Sequence, residues 1–278
     1  MNEQFQRTEL LLGACSTSRL KKCRVAVFGA GGVGGYVIEA LARSGVGTLD
    51  ITDGDTVDIT NLNRQIIATH NTIGMNKVDL FEERIHSICP DTTVIKHNGF
   101  YLPTDNNHDR GELSETRSRS VAHGKVSAQK VSESSPLSHS SSDDDPPTRR
   151  MIDHSEYEFE KFDYVVDAID TVAAKLDIIC RCTELCIPVI SSMGCGNRLD
   201  PSLLKETDIF STSGDPLAKV MRKQLKLRGV KKLKVVYSEE EPRKPGGHTP
   251  GSTPFVPASA GLMIAGIVVR ELLTEQRR

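Results

Sequence analysis

The chain has 278 residues and a formal net charge of -2 at pH 7, and it contains no tryptophan. Because its charges nearly cancel, no global field attracts nucleic acid, and any such contact must come from a local patch. The seven cysteines are odd in number and irregularly spaced, which favours a reducing, cytoplasmic compartment over a disulfide framework. The N-terminal residues include acids and only a short apolar run, so we expect no signal peptide.

A glycine-rich turn follows the first apolar strand of the sequence. Residues 25–28 form a short apolar run typical of a buried strand, a helical pattern follows the turn, and a second strand over residues 48–52 ends at an acid. This order is typical of nucleotide binding, because the helix N-terminus offers N–H groups to a phosphate and the acid can bind a ribose. The alternative is a turn that only lets the helix pack closely on the sheet. The candidate residues are Gly29, Gly31, Gly32, Gly34 and Asp53.

Polar side chains come directly after the second strand, and a lysine begins the next helical pattern. An arginine, a lysine and amides suit a site that holds a triphosphate and stabilises charge as pyrophosphate leaves. A dehydrogenase does not need them, although the acid alone would suit the ribose of NAD, FAD or ATP equally well. For the lysine the alternative is an ordinary solvated side chain. The residues are Asp55, Asn61, Asn63, Arg64, Gln65 and Lys77.

These residues resemble those of the adenylating enzymes of the ubiquitin-activating type and their bacterial relatives in thiamine and molybdopterin biosynthesis. The resemblance implies an α/β fold of the ThiF-like adenylating kind, with a Rossmann-like, mostly parallel sheet and helices on both faces. It also implies that Arg64 and Lys77 contact ATP phosphates, and that Arg7 reaches the ATP of the partner subunit in a homodimer. A surface arginine is the alternative for Arg7.

Residues 162–170, FDYVVDAID, form a predicted buried strand that ends in two acids. Acids at the carboxyl end of a parallel strand point into the ligand crevice. The D-x-x-D spacing of Asp167 and Asp170 is similar to the metal-binding motif of the same family, which implies that Asp170 holds Mg2+ on the triphosphate. Magnesium suits such a site, since it binds through one or two carboxylates plus phosphate oxygens. We expect Asp167 to cap nearby backbone.

Residues 103–157 differ in composition from the rest of the chain. They are rich in Ser, Asp, His, Arg and Lys, with almost no Ile, Leu or Phe, so they cannot bury enough apolar surface to offset their ordering entropy. We interpret them as a disordered insertion in a single adenylation domain spanning residues 1–278. An inert linker is the simplest interpretation, and a phosphorylated regulatory segment or an RNA tether is the alternative.

Three cysteines of the second half require an explanation. Cys195 lies in a glycine-flanked loop after a predicted strand, and the thioester chemistry of ubiquitin-activating enzymes suggests a nucleophile there. No histidine neighbours it in sequence, and its position falls before the thioester region of that family, so we favour a non-catalytic thiol. Cys182 and Cys186 lie one helical turn apart, but no second pair completes a zinc site.

Basic residues are concentrated between positions 219 and 234, with no acid among them. Asp215 as N-cap, Pro216 at the first helical position and Gly229 after the end predict a helix over most of this stretch. One sign of charge in a near-neutral protein favours a local patch for RNA phosphates, and a plain solvated helix is the alternative. The candidate RNA contacts are Lys219, Arg222, Lys223, Lys226 and Arg228.

Residues 255–273 form a mostly apolar helical pattern that contains Pro257. Its uncharged run ends at Arg270, which makes it short for a bilayer span. We therefore expect no integral membrane segment, and we interpret this stretch as a helix that covers the sheet.

Several motifs narrow the family. R-T-E-L-L-L-G, V-V-D-A-I-D, G-D-P-L-A-K-V-M-R-K and G-S-T-P-F-V-P-A-S-A-G-L are similar to the tRNA threonylcarbamoyladenosine dehydratases. The resemblance spans nearly the whole chain outside residues 103–157. It implies ATP-dependent closure of the threonylcarbamoyl group on tRNA adenosine 37 into a ring through a carboxyl-adenylate. Because the closing attack is intramolecular, no enzyme nucleophile is required.

Three alternatives remain open at the level of sequence. The chain could activate a ubiquitin-like or sulfur-carrier protein, with a sulfur-transfer partner, but it lacks the paired C-x-x-C zinc site of the sulfur-carrier activators. It is also too short for the additional cysteine and adaptor domains of ubiquitin activators. A nicotinamide oxidoreductase is disfavoured by Arg64 and Lys77. A non-catalytic nucleotide-binding scaffold is the third alternative.

Overall fold

A seven-stranded sheet with strand order β3-β2-β1-β6-β7-β9-β8 organises the protein. The computed structural model describes residues 3–103, 150–243 and 249–274. All neighbouring strands are parallel except β8 and β9, which are antiparallel. The strands are β1 (Arg24–Phe28), β2 (Thr48–Asp53), β3 (Thr93–Asn98), β6 (Tyr164–Asp167), β7 (Val189–Ser192), β8 (Leu204–Asp208) and β9 (Lys234–Ser238), with β4 (Phe100–Leu102) and β5 (Met151–Asp153) in a separate two-stranded sheet.

Helices connect these strands and cover both faces of the sheet. They are α1 (Gln6–Leu12), α2 (Ser16–Leu20), α3 (Gly34–Arg43), α4 (Lys77–Ile88), α5 (Val172–Glu184), α6 (Pro216–Leu227) and α7 (Phe255–Thr274). This architecture confirms the predicted α/β class with a mostly parallel sheet, in which the central strands are apolar on both sides because both faces are buried.

Strand β1 shows how the two faces are separated. Val25 and Val27 pack into the core beneath α3, α4 and α7, whereas Ala26 and Phe28 pack on the opposite face. This alternation follows from the two-residue period of a strand. The opposite face near Phe28 is filled by an aromatic cluster with Tyr101, Tyr157, Phe159 and Phe162, and further along it by α5 and α6.

The prediction that residues 103–157 form a disordered insertion is wrong at the C-terminal end of that range. Residues 150–157 are ordered: β5 pairs with β4, and the Tyr157 side chain is buried in the aromatic cluster. Ile152 and Tyr157 supply the apolar surface of this part. Because residues 103–157 are mostly polar taken together, the composition of the whole range did not indicate it. Residues 104–149, the remainder of the predicted insertion, lie outside the described residues.

The two predicted helices of the second half are confirmed. In α6, Asp215 accepts a hydrogen bond from the Ala218 N–H and Pro216 takes the first turn, while Gly229 adopts a φ of 75° beyond the end. Within the described residues, α7 alone is long and apolar enough to cross a membrane by length and composition. Half of its most apolar window is buried inside the protein, and Ile264 and Val268 lie in the main core.

Candidate active site

The glycine turn between β1 and α3 contains two glycines at which the fold leaves no room for a side chain and two at which a Cβ would make only ordinary van der Waals contacts. A Cβ on Gly29, whose φ is 92°, would lie 2.7 Å from the Ala168 carbonyl oxygen, and one on Gly34 would lie 1.7 Å from that of Gly29. A Cβ on Gly31 or Gly32 would meet nothing closer than 3.8 and 3.4 Å. The turn therefore presents the partly exposed backbone of Gly31 and Gly32 at the N-terminus of α3, the arrangement that binds phosphate.

Asp53, at the end of β2, shapes this turn. Its carboxylate accepts hydrogen bonds from the N–H groups of Ala30 (2.8 Å) and Asp55 (2.9 Å). Burial raises the pKa of Asp53, and the nearby Lys77 ammonium opposes that rise. A ribose bound to Asp53, as predicted, would therefore share a carboxylate that already accepts two backbone hydrogen bonds. The Asp55 side chain, by contrast, is 47% exposed, so a ligand can reach it.

Lys77 is buried, at 4% exposure, at the first position of α4. Its Nζ atom lies 2.9 Å from Asp55 Oδ2 and 3.6 Å from Asp53 Oδ1. The alternative of a solvated surface lysine is wrong, because a buried ammonium needs partners and this one has two carboxylates. The structure thus places Lys77, Asp53 and Asp55 together beside the glycine turn.

Arg64 and its neighbours lie in the loop after β2, on one side of the glycine turn. The Arg64 guanidinium donates to the Thr60 carbonyl (2.8 Å) and to Asn63 Oδ1 (3.0 Å), and its stem lies 3.4 Å from the position of a Cβ on Gly32. Asn61 instead accepts from the Asp58 N–H at 3.1 Å. It caps a short 3-10 turn and has no contact with the glycine turn among the described hydrogen bonds.

Gln65 gives the clearest sign that this surface takes a ligand. Its side chain is buried, and its Nε2 atom lies 3.8 Å from where a Cβ on Gly31 would be. Among the described residues its Oε1 atom has no hydrogen-bond partner. Since a buried polar atom without a partner costs free energy, this amide beside an open glycine turn fits a nucleotide that supplies a donor.

The loop after β6 carries the predicted metal ligand. Asp170 is exposed. The backbone of the two preceding residues, Ala168 and Ile169, lies against Gly29, so Asp170 directly follows the backbone that packs on the glycine turn. No group of three or more metal-ligating side chains occurs in residues 3–103, 150–243 and 249–274. A single carboxylate fits Mg2+ held mainly by phosphate oxygens.

Asp167 accepts a hydrogen bond from the Ile169 N–H at 3.3 Å, which confirms the predicted backbone contact, and it also has a partner that the sequence analysis missed. Its carboxylate is fully buried and lies 2.9 Å from the equally buried Nζ atom of Lys175. Lys175 also donates to Ser191 Oγ (3.2 Å) and to the Ser192 carbonyl (2.9 Å). The helical spacing in the sequence could have revealed that this lysine is buried, because Lys175 lies on the same apolar face of α5 as Ile178, Ile179 and Cys182.

Arg7 lies apart from this group. It is exposed on α1, and no described hydrogen bond or ion pair joins it to Arg64 or Lys77. The neighbouring Leu10 and Leu11 are 83% and 84% exposed. The predicted contact of Arg7 is with the ATP of a partner subunit, so it stays a prediction.

Cys195 is partly enclosed by the loop after β7. Burial raises the pKa of its thiol to about 11, which keeps it protonated near neutral pH, and only a thiolate is a good nucleophile. Its weak hydrogen-bond contacts are to the Met193 carbonyl (3.7 Å) and the Ser192 hydroxyl (3.9 Å). The geometry supports the prediction that Cys195 is not a nucleophile.

The basic stretch is less uniform than its sequence. Lys219, Lys223 and Lys226 are exposed on α6, but Arg222 is half-buried and donates to the Thr212 carbonyl at 2.9 Å. Arg228 donates to Gln224 Oε1 at 2.7 Å. Although the stretch contains no acid, its last member has acidic partners in the fold, because Lys234 pairs with Glu206 and Glu271.

Comparisons with known proteins identify the family of this chain. The ThiF family model matches residues 4–113. A curated relative from Bacillus subtilis, named tRNA threonylcarbamoyladenosine dehydratase, is 36% identical over 99% of this chain and 96% of its own length. The chain belongs to the tRNA threonylcarbamoyladenosine dehydratase family. A relative of the same name from Escherichia coli is 30% identical over 81% of this chain, and the match spans 66% of that protein.

Solved structures support the same assignment. The E. coli dehydratase TcdA in complex with AMP matches with a TM-score of 0.74 and 27% identity, covering 98% of this chain and 94% of that one. The ATP complex of TcdA matches with a TM-score of 0.72 over the same shares of the two chains. The predicted ThiF-like adenylating fold is confirmed.

Proposed function

We propose that this protein is an ATP-dependent tRNA threonylcarbamoyladenosine dehydratase, which cyclises the threonylcarbamoyl group on adenosine 37 of tRNA. The observation that carries the proposal is the open glycine turn flanked by Arg64, Gln65 and Lys77, in a chain aligned over nearly its full length with a relative of that name. The position of these residues beside the glycine turn supports assigning the relative's activity to this chain.

The reaction has two steps that the site can support. A carboxylate is a poor electrophile, so its oxygen first attacks the α-phosphorus of ATP, forming a carboxyl-adenylate and expelling pyrophosphate. A nucleophile within the same modified base then attacks the acyl carbon and displaces AMP, closing the ring. The second attack is intramolecular, so proximity lowers its barrier without an enzyme nucleophile, in agreement with the protonated Cys195 thiol.

The side chains of the site have distinct tasks in the first step. The partly exposed backbone of Gly31 and Gly32 and the N-terminus of α3 would bind phosphate oxygens. Arg64 and Lys77 would neutralise charge as pyrophosphate departs, and the exposed Asp55 would bind ribose in place of, or together with, Asp53. Mg2+, held on the triphosphate by Asp170, would supply further neutralisation of phosphate charge.

We further propose a homodimer in which Arg7 completes the site of the partner subunit. The exposed Leu10 and Leu11 on the same short helix support this proposal, since adjacent large apolar side chains in water favour burial against another surface. All seven cysteines are free, which supports a reducing, cytoplasmic compartment.

For tRNA, we propose that the exposed face of α6 contacts the phosphate backbone. Replacing Lys219, Lys223 and Lys226 together by Gln should weaken tRNA binding and reduce the slope of log affinity against log salt by roughly one unit per lost contact. ATP affinity should stay unchanged. An unaltered salt slope would show that the RNA binds elsewhere. The control is Lys21→Gln, an exposed lysine that pairs with Asp91.

One assay tests the proposed function directly. The protein is incubated with ATP and Mg2+ together with threonylcarbamoylated tRNA, with a carrier protein ending in Gly-Gly, or with neither. We expect pyrophosphate release and loss of one water from the tRNA nucleoside only in the tRNA arm. Pyrophosphate release only with the carrier protein would identify a protein activator, and release in no arm would identify a non-catalytic nucleotide-binding protein.

A further inference from the structure

Residues 249–254, which immediately precede α7, cross the carboxyl edge of the sheet. The Asn63 Nδ2 atom, in the loop after β2, donates to the Ser252 carbonyl at 2.9 Å. The adjacent residue, Gly251, is held by the loop after β7. The loops after β2 and β7 therefore meet at residues 251–252, and the strands between them in the sheet, β1 and β6, are those followed by the glycine turn and Asp170.

Asn197 is the main anchor of this segment. Its Oδ1 atom accepts from the Gly251 N–H at 2.6 Å, and its own N–H donates to the Gly251 carbonyl at 2.8 Å. Asn197 has a φ of 62°, a left-handed conformation that asparagine tolerates better than most residues but that still carries strain. The neighbouring Gly196 leaves room for the Pro250 ring, which would lie 2.9 Å from a Cβ there.

The chemistry of the segment differs from that of the phosphate wall. Its sequence, TPGSTP, contains no charged residue, whereas Arg64 and Lys77 both belong to the side of β2. The Thr253 Oγ1 atom is buried and has no hydrogen-bond partner among the described residues. Phosphate and carboxylate oxygens are bound best by charged donors. The uncharged segment, with its unpaired Thr253 hydroxyl, therefore suits the neutral carbamoyl part of the acyl group and its hydroxyl better than a triphosphate.

We infer that the 249–254 segment is the wall against which the threonylcarbamoyl group is held for attack on ATP, and that Asn197 is the positioning residue that fixes this wall. The inference rests on the proposed function for the identity of the acyl group. Asn197 touches no reacting atom; it acts through Gly251. Its loss should therefore weaken binding of the tRNA substrate and leave ATP binding intact.

A matched pair of substitutions separates the hydrogen bond from the backbone strain. Asn197→Gly adopts the left-handed conformation freely but removes the Oδ1 acceptor, whereas Asn197→Asp keeps an acceptor there. With the full chain, we expect Asn197→Gly to raise the KM for modified tRNA about tenfold, the effect of one hydrogen bond. Its ATP dissociation constant should stay within about twofold of wild type, and Asn197→Asp should restore most of the tRNA affinity.

Two further variants keep the result interpretable. Gly196→Ala places a methyl group against Pro250 and should raise the same KM without touching Asn197. Cys186→Gly, at the other non-glycine residue with a positive φ (55°) among those described, should change neither constant.

The outcomes distinguish the inference from the proposed function. An unchanged KM for tRNA in both Asn197→Gly and Gly196→Ala, or a parallel loss of ATP affinity, would overturn the role of the 249–254 segment while wild-type activity stands. Absence of pyrophosphate release with modified tRNA in the wild-type chain would overturn the proposed function, and with it the identity of the acyl group.

Discussion

Two lysines lie at the carboxyl edge of the same sheet, and their surroundings differ. Lys77 is buried beside Asp53 and Asp55, one of which is nearly half exposed. Lys175 is sealed completely: Asp167, Ser191 and the Ser192 carbonyl occupy its three N–H donors. The comparison teaches that a buried lysine-aspartate pair at a ligand crevice is not by itself a catalytic group. Lys77 has an accessible partner, so this pair can rearrange around a ligand. Lys175, which is sealed, instead holds the ends of β6 and β7 together.

The largest expected effect is on the sealed pair. Lys175→Ala leaves the Asp167 carboxylate buried without a counter-charge, so it should lower the free energy of unfolding by about 3–5 kcal/mol. Urea denaturation monitored by circular dichroism measures this loss. The double variant Lys175→Met with Asp167→Leu should recover most of it, because an apolar pair needs no charge partner. A loss below about 1 kcal/mol in the single variant would contradict the structural role.

The second largest expected effect is the loss of activity on removing Lys77, whose partner Asp55 is accessible to solvent. Lys77→Ala should reduce kcat by roughly 100- to 1,000-fold, the range found when one charge-stabilising donor is removed from a site. The loss of stability should be smaller than for Lys175→Ala, since Asp55 can reach solvent. Steady-state pyrophosphate release and urea denaturation give the two values.

The control for Lys77 is Lys96→Ala. Lys96, on β3, pairs with Asp79 and Glu82, which both lie on α4, and such partly exposed pairs contribute about 0–1 kcal/mol. We expect its activity to remain near wild type. If Lys96→Ala lost as much activity as Lys77→Ala, the position of Lys77 beside the glycine turn would have no special meaning.

The smallest effect is a pH dependence. Because burial raises the pKa of Asp53 above its ordinary value, the folded state holds this proton more tightly than the unfolded state. Stability from this group is therefore fully present below the ordinary aspartate pKa of about 3.9, and it is lost as pH rises through the folded pKa. Asp53→Asn removes the titration, so wild type should lose stability relative to this variant as pH rises across that window.

Urea denaturation of both proteins from pH 4 to 7 measures this difference. A wild-type protein that instead gains stability relative to Asp53→Asn with rising pH would mean that Lys77 outweighs burial at Asp53. The ranking of the two lysine clusters would then change, because the accessible pair would also stabilise the fold.

The sequence predicted those features that depend on local patterns. The glycine turn follows from β1 and the spacing of Gly29 and Gly34, and α6 follows from Asp215, Pro216 and Gly229, since caps act within one turn of a helix. The order of predicted strands and helices was sufficient for the fold class.

Features that depend on distant partners were missed. Asn63 contacts Ser252 across 189 positions of sequence, and neither residue type indicates the other. Strand β5 was lost within a polar stretch because its three residues pair with β4 only in the folded chain. Lys175 was overlooked although its helical spacing was visible, because its partner Asp167 had been assigned a capping role.

The antiparallel strand β8 also has a consequence for how copies of this protein associate. It forms one border of the main sheet, where unpaired backbone groups could recruit a strand from another molecule. Its sequence, LKETD, places charged side chains there, with Lys205 bound to Glu239 at 2.6 Å and Glu206 near Lys234 at 3.6 Å. Adding a strand would require stripping water from these charges. The border therefore resists aggregation by sheet extension, and the proposed homodimer would form through other surfaces, such as the leucines of α1.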